Sequence, residues 1–254
     1  MNARALSAGL LWLVLCSGSA ENAVAGDAAP PRRVLLYDYN AVPVAATTPR
    51  QIAFLKNQLM AWGYEVEVSE KPSDINAARL ATLSAVAFIN VCFNPYGPGE
   101  AGTAQTAALA AFVAAGGGMF VTHCSSVAFQ NASPPNPYAD LIGGRSGRDN
   151  FDGESVCATT AEKHVSTARL PANFGYSGNL DNADYLAADT KVLVRCTWSG
   201  GRKLDTAVSW YRTPGKGRVF YTNFAKVDAD YADATVGAEH LVPGLAWAVG
   251  HQIR

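Results

Sequence analysis

The sequence predicts a doubly wound α/β fold, a mostly parallel sheet with helices on both faces and further strands toward the C-terminus. Three features point to it. Apolar runs alternate with segments of helical period between residues 34 and 122. The central runs are continuously apolar, as parallel strands covered on both faces are. Polar residues then gather where three of those strands end: Asp38-Tyr39-Asn40, Asn90 with Cys92 and Asn94, and His123-Cys124-Ser125-Ser126.

The elements follow in order. Val34 to Tyr39 is expected as a buried strand that turns polar at its end. Thr48-Pro49-Arg50-Gln51 carries a helix start: a Thr cap, Pro at the first helical position and Gln three residues after the cap. Ile52, Leu55, Leu59 and Trp62 continue it at helical spacing, and Gly63 stops it. Tyr64 to Val68 alternates as a strand does, and Ala85 to Val91 is a continuous apolar strand. Thr103 to Ala115 is expected as a helix with Ala104, Ala107, Ala108, Ala111, Phe112 and Ala115 on its buried face. Gly116-Gly117-Gly118 ends it, and Met119 to Thr122 forms the next strand. Residues 130–185, rich in Pro, Asn, Gly and Asp, are expected to be irregular. Lys191 to Trp198, Thr206 to Tyr211 and Arg218 to Asn223 are expected as strands, the last two joined by a turn at Pro214–Gly217. His240 to Ile253 is expected as the closing helix.

The N-terminus has the form of a secretory signal peptide over residues 1–25. Arg4 is followed by the short apolar stretch Leu6 to Cys16, and Ala23-Val24-Ala25 is a cleavage site before Gly26. A lipoprotein anchor at Cys16 is the rival, disfavoured because Leu15 is not small. Residues 26–32 are expected as a flexible leader and 33–254 as a single domain. No apolar run approaches the roughly 20 residues of a membrane helix. Net charge is −1 with no basic block, so nucleic acid is not expected as a partner.

Beyond residue 25 the chain keeps four cysteines, Cys92, Cys124, Cys157 and Cys196. In an exported chain an even count favours two disulfides, and three pairings are open from the count alone. Cys92 and Cys124 end strands expected to be neighbours, which would pair them and leave Cys157 for Cys196. Zinc is the alternative, but no CxxC or HxxxH spacing is present.

Ligands of open parallel sheets bind beyond the carboxyl ends of the strands, where strand order reverses. The three polar strand ends therefore define the expected pocket. His123 is the candidate acid/base or ligand group. His164 and Asp184 are candidate assistants; Asp181 and Asp184 are the nearest carboxylates, and a His–His–Asp site would admit a divalent metal, although no cofactor is required. Asp38, Asn90, Asn94 and Tyr96 are candidates to orient hydroxyls, with Tyr39, Phe93 and Trp198 as further aromatic surface. Cys124 as nucleophile is a competing possibility, weakened by Thr122 and Ser126 where a cysteine elbow needs glycines.

The residues also resemble a known family. Residues 116–126, GGGMFVTHCSS, resemble the glycine-rich, strand, histidine signature of ThuA-like (trehalose-utilisation) proteins. Asp140-Leu141-Ile142-Gly143-Gly144, His164-Val165-Ser166-Thr167 with Leu170-Pro171, Ala207–Trp210 with Gly215–Thr222, and Gly244–Ala248 follow in the family's order. The resemblance implies a flavodoxin-like, doubly wound, mostly parallel three-layer sheet of the class I glutamine amidotransferase-like kind, associated with carbohydrate utilisation. It places the family's elbow histidine on His123 and its mid-chain histidine on His164. Asp184 falls where the family's carboxylate stands beside a tyrosine. The family's Gly-His after the last strand is absent, with Asn223-Phe224-Ala225-Lys226 in its place. The expected function is binding or processing of a sugar or glycoside, outside the cytoplasm. A non-catalytic docking module and a Cys124-dependent amidohydrolase are the alternatives.

Overall fold

The computed structural model describes residues 32–39, 48–92, 101–129, 136–198, 200 and 204–253. Residues 26–31 of the leader, Phe93, Asn94 and Tyr96 lie outside them.

One nine-stranded sheet organises these residues, in the order β2-β1-β3-β4-β9-β8-β7-β5-β6. β1 (Arg33–Tyr37), β2 (Glu65–Ser69), β3 (Ala85–Phe88), β4 (Gly118–Thr122) and β9 (Arg218–Thr222) run parallel. β8 (Leu204–Arg212), β7 (Lys191–Trp198), β5 (Gly144–Thr159) and β6 (Asn173–Leu186) extend the sheet antiparallel. The chain leaves β1 for β2 on one side and returns to β3 on the other. The strand order therefore reverses at β1 and β3, the kind of position beyond whose carboxyl ends open α/β sheets generally take their ligands.

Alternate residues of the parallel strands face opposite layers. Val34, Leu36, Ala85, Ala87, Phe120 and Phe220 pack against α1 (Pro49–Ala61), α5 (Asp228–Ala232) and α6 (Val242–Val249). Leu35, Tyr37, Val86, Phe88, Met119, Val121 and Tyr221 pack against α2 (Ala77–Leu80), α3 (Ala101–Ala114) and α4 (Pro137–Ile142). This is the three-layer, flavodoxin-like arrangement expected, with antiparallel strands added beyond β9.

The start of α1 is the expected capping box: Gln51 N–H donates to Thr48 Oγ1 at 3.3 Å, and Thr48 N–H donates to Gln51 Oε1 at 3.3 Å. Gly118 has a close-approach role, because a Cβ there would collide with the Ala248 carbonyl of α6.

Three expectations are corrected. Residues 130–185 are not irregular throughout: α4 and the two long strands β5 and β6 occupy much of that span. Their Asn, Asp, Gly and Ser content reflects a largely exposed ribbon, where apolar alternation is weak. The buried side of α3 is Thr106, Leu109 and Val113, whereas Ala104, Ala107, Ala111 and Ala115 are exposed. A helix apolar all round does not reveal its inner face by alanine spacing; the larger side chains mark it. The closing helix is shorter than expected. A π-turn at Gly237–Leu241 precedes α6, and Gly250, at φ +77°, ends it in the left-handed conformation.

Both disulfides form as expected. Cys92 joins Cys124 with Cα atoms 5.1 Å apart, tying the ends of β3 and β4. Cys157 joins Cys196 across directly paired positions of β5 and β7. Two disulfides point to an extracellular or periplasmic setting. No helix among the described residues is long and apolar enough to cross a membrane.

Candidate functional site

β4 ends at Thr122, and His123 opens a 3₁₀ turn, His123–Val127. Its φ is +44°, and that of Asn90, beyond the neighbouring β3, is +50°. Non-glycine residues in this region carry strain that their surroundings must hold. Here they do. Tyr221 Oη donates to the His123 carbonyl at 3.0 Å. Val91 N–H donates to Ser125 Oγ at 2.8 Å, and Ser125 Oγ donates to the Phe88 carbonyl at 3.2 Å. Tyr138 Oη donates to the Ser125 carbonyl at 2.9 Å, and the Ser126 hydroxyl meets that of Ser146 at 2.6 Å. Cys124 is bonded to Cys92, so no thiol stands at the elbow and the cysteine-nucleophile reading is not carried further.

The His123 imidazole is the exception to this saturation. It is 3% exposed, yet neither ring nitrogen has a hydrogen-bond partner among the described residues. Buried polar atoms nearly always find partners, so such a ring marks a place where a ligand atom fits. Nε2 lies 3.9 Å from Asp181 Oδ2, too far for a direct hydrogen bond. The Asn179 carboxamide approaches the ring, and its own Oδ1 is also without a partner among the described residues. Burial holds the His123 pKa below its ordinary 6.5; Asp181 pulls it back up and Lys226 pushes it further down. The ring is thus neutral near pH 7, with one nitrogen able to accept a proton.

Asn90 adds a further acceptor. Its Nδ2 points to two oxygens, Gln51 Oε1 and the Lys226 carbonyl, each at 3.4 Å, and Gln51 Nε2 also donates to that carbonyl at 3.1 Å. These acceptors fix the orientation of the amide and leave Asn90 Oδ1 unpartnered among the described residues. Asp38 lies buried beyond β1, close enough to Tyr231 for its charge to raise that hydroxyl's pKa.

Two expected members lie elsewhere. His164 caps the 3₁₀ turn Val165–Thr167, its Nδ1 at 2.8 Å from Ser166 Oγ, and its ring stacks on Tyr211 at 4.7 Å between centroids and meets Trp247 edge-on. Burial takes its pKa down to about 4. Asp184 makes a two-point ion pair with Arg145, Nε to Oδ1 at 3.0 Å and Nη2 to Oδ2 at 2.9 Å, at a partly exposed position. The set His123, His164 and Asp184 is therefore not brought together, and no group of three or more His, Cys, Asp or Glu suited to a metal ion occurs among the described residues.

The carboxylate at His123 is Asp181 instead. With Asn179, Gln51, Asn223 and Lys226 it completes what the sequence left unassigned. One signal was available. In a strand, Asn179 and Asp181 share a face, and Asp184, three residues on, does not.

Several solved structures share this architecture. A putative ThuA-like protein from Bacteroides uniformis ATCC 8492 is 17% identical, with a TM-score of 0.60 over 89% of this chain and 94% of that one. Another from Parabacteroides merdae ATCC 43184 is 16% identical, with a TM-score of 0.59 over 89% and 92%. A β-galactosidase from Bacillus circulans sp. alkalophilus is 14% identical, with a TM-score of 0.57, over 88% of this chain but only 32% of the enzyme. At these identities the likeness is one of fold, a flavodoxin-type sheet. No curated protein matches the sequence. The family model described as ThuA, trehalose utilisation, matches residues 33–248, and the chain belongs to that family.

Proposed function

We propose that this chain is an exported protein that binds or processes a neutral sugar or glycoside at the carboxyl rim of the parallel sheet. The carrying observation is the buried imidazole of His123, neutral and unpartnered among the described residues, with the Asp181 carboxylate 3.9 Å away. A hydroxyl between them donates to the Asp181 carboxylate and accepts from the Nε2–H of His123. The neighbouring acceptors, Asn90 Oδ1 and Asn179 Oδ1, suit further hydroxyl donors. The other ring nitrogen, Nδ1, is left to accept from a second hydroxyl and to serve as its base, with Asp181 stabilising the imidazolium. The family's trehalose-utilisation description makes trehalose the first sugar to try. Export is supported by the leader sequence and the two disulfides.

The test follows the His123 ring nitrogens by NMR during titration with trehalose and a panel of neutral disaccharides and glycosides, with calorimetry on H123Q. The expected result is a saturable shift of the His123 signals and at least a tenfold loss of affinity in H123Q. Ring signals unmoved by every sugar, or unchanged affinity in H123Q, would overturn the proposal.

A further inference from the structure

β6 lies at the far end of the sheet from the parallel strands, four positions beyond β9. Asp181 nevertheless reaches His123. The antiparallel ribbon bends back, helped by register shifts in β5 between Arg145 and Asn150. Two side chains then receive the outer edge of β6 as a strand would. Thr206 Oγ1, on β8, accepts from Ala183 N–H at 2.9 Å. Asn223, the residue after β9, accepts from Asp181 N–H through Oδ1 at 3.2 Å and donates through Nδ2 to the Asp181 carbonyl at 2.7 Å.

We propose that Asn223 is the positioning residue of the site: its carboxamide replaces a strand partner for Asp181 and holds that carboxylate against His123. The geometry is specific. A primary amide sets a carbonyl oxygen beside an amino group with the spacing of a peptide group, and Asn223 turns both to one residue's main chain. It is 1% exposed, and its own N–H donates to the Val208 carbonyl at 2.7 Å, so its backbone is anchored to the sheet. Ala225, two residues on, adopts φ +82°, so this segment turns sharply away after the clamp. The clamp sits in the segment where the resemblance expects Gly-His.

This inference rests on His123 and Asp181 acting as a pair, and its test needs no sugar, so it fails separately from the sugar proposal. A carboxylate facing Nε2 favours the tautomer protonated there. The ¹⁵N shifts of the His123 ring at pH 7.5 report that ratio. Wild type is expected to be mainly the Nε2–H form. N223A and D181N are each expected to move to the same mixed ratio, and the double variant to add nothing further. N223S, which removes the amide donor but less volume, gives the same reading if N223A does not fold. A wild-type ratio in the Asn223 variants overturns the clamp; a wild-type ratio in D181N overturns the pair on which it depends.

Discussion

His123 holds a left-handed backbone and a buried ring because its neighbours leave it no alternative. Ser125, Ser126, Tyr138 and Tyr221 consume the polar groups around the elbow, and the Cys92–Cys124 bond ties its flank to β3. The residue that remains is the one with chemistry to offer. Its protonation sets a pH dependence with a definite sign. Burial, the largest influence, places the folded pKa below 6.5. The accepting form therefore predominates at pH 6.5 and above, and is lost as pH falls through the depressed value. Sugar affinity measured by calorimetry should be highest at neutral and mildly alkaline pH and decline in acid. Affinity that rises on acidification would contradict a neutral imidazole as the acceptor.

The elements divide into those that build the sheet and those that bring groups to it. The sequence located α1 through its Thr48–Gln51 box and the parallel strands through their apolar runs. It missed β5 and β6, because an exposed ribbon of Asn, Asp, Gly and Ser carries no apolar period. The sequence offers Asp181 and Asp184 together, and without a strand there is no alternation to choose Asp181 over Asp184. The ribbon is also where the second disulfide lies, joining β5 to β7 rather than touching the elbow. Replacing both Cys157 and Cys196 with serine should cost about 2–4 kcal/mol of unfolding free energy in urea, with the His123 tautomer ratio unchanged. A changed ratio would mean that this crosslink, and not Asn223, sets the position of Asp181.

Across the whole molecule, the layer that packs α5 and α6 on the sheet holds a buried histidine unlike His123. His240 is fully buried, with Nδ1 2.9 Å from the Ser166 carbonyl and Nε2 3.2 Å from Thr222 Oγ1, so both ring nitrogens are satisfied. It pins the π-turn before α6 to the end of β9 and to the turn after His164. Burial drives its pKa down to about 4. Below pH 6.5 the unfolded chain takes up a proton that the folded chain refuses until about pH 4. Stability therefore falls as pH drops through that window, by about 3 kcal/mol for a site so fully buried. Urea unfolding between pH 7 and 4 should show this decline, and H240Q, less stable at pH 7, should show a shallower one. An equal slope in the variant would assign the acid sensitivity elsewhere.

Composition and period alone determined the layered parallel sheet, the helix cap at Thr48, the even cysteine set and the place of His123 at a strand end, because each depends on neighbours within a few residues or on burial of an apolar run. Only the tertiary structure decided which carboxylate faces the imidazole. That choice depends on how far a polar ribbon bends back across the sheet, and on Asn223, 42 residues from Asp181, offering its amide as a strand partner. Side-chain hydrogen bonds between segments so distant leave no trace in local periodicity. His164 and Asp184 matched a motif by order along the chain and were then drawn into stacking and ion pairing, because proximity in space follows the packing of the whole fold.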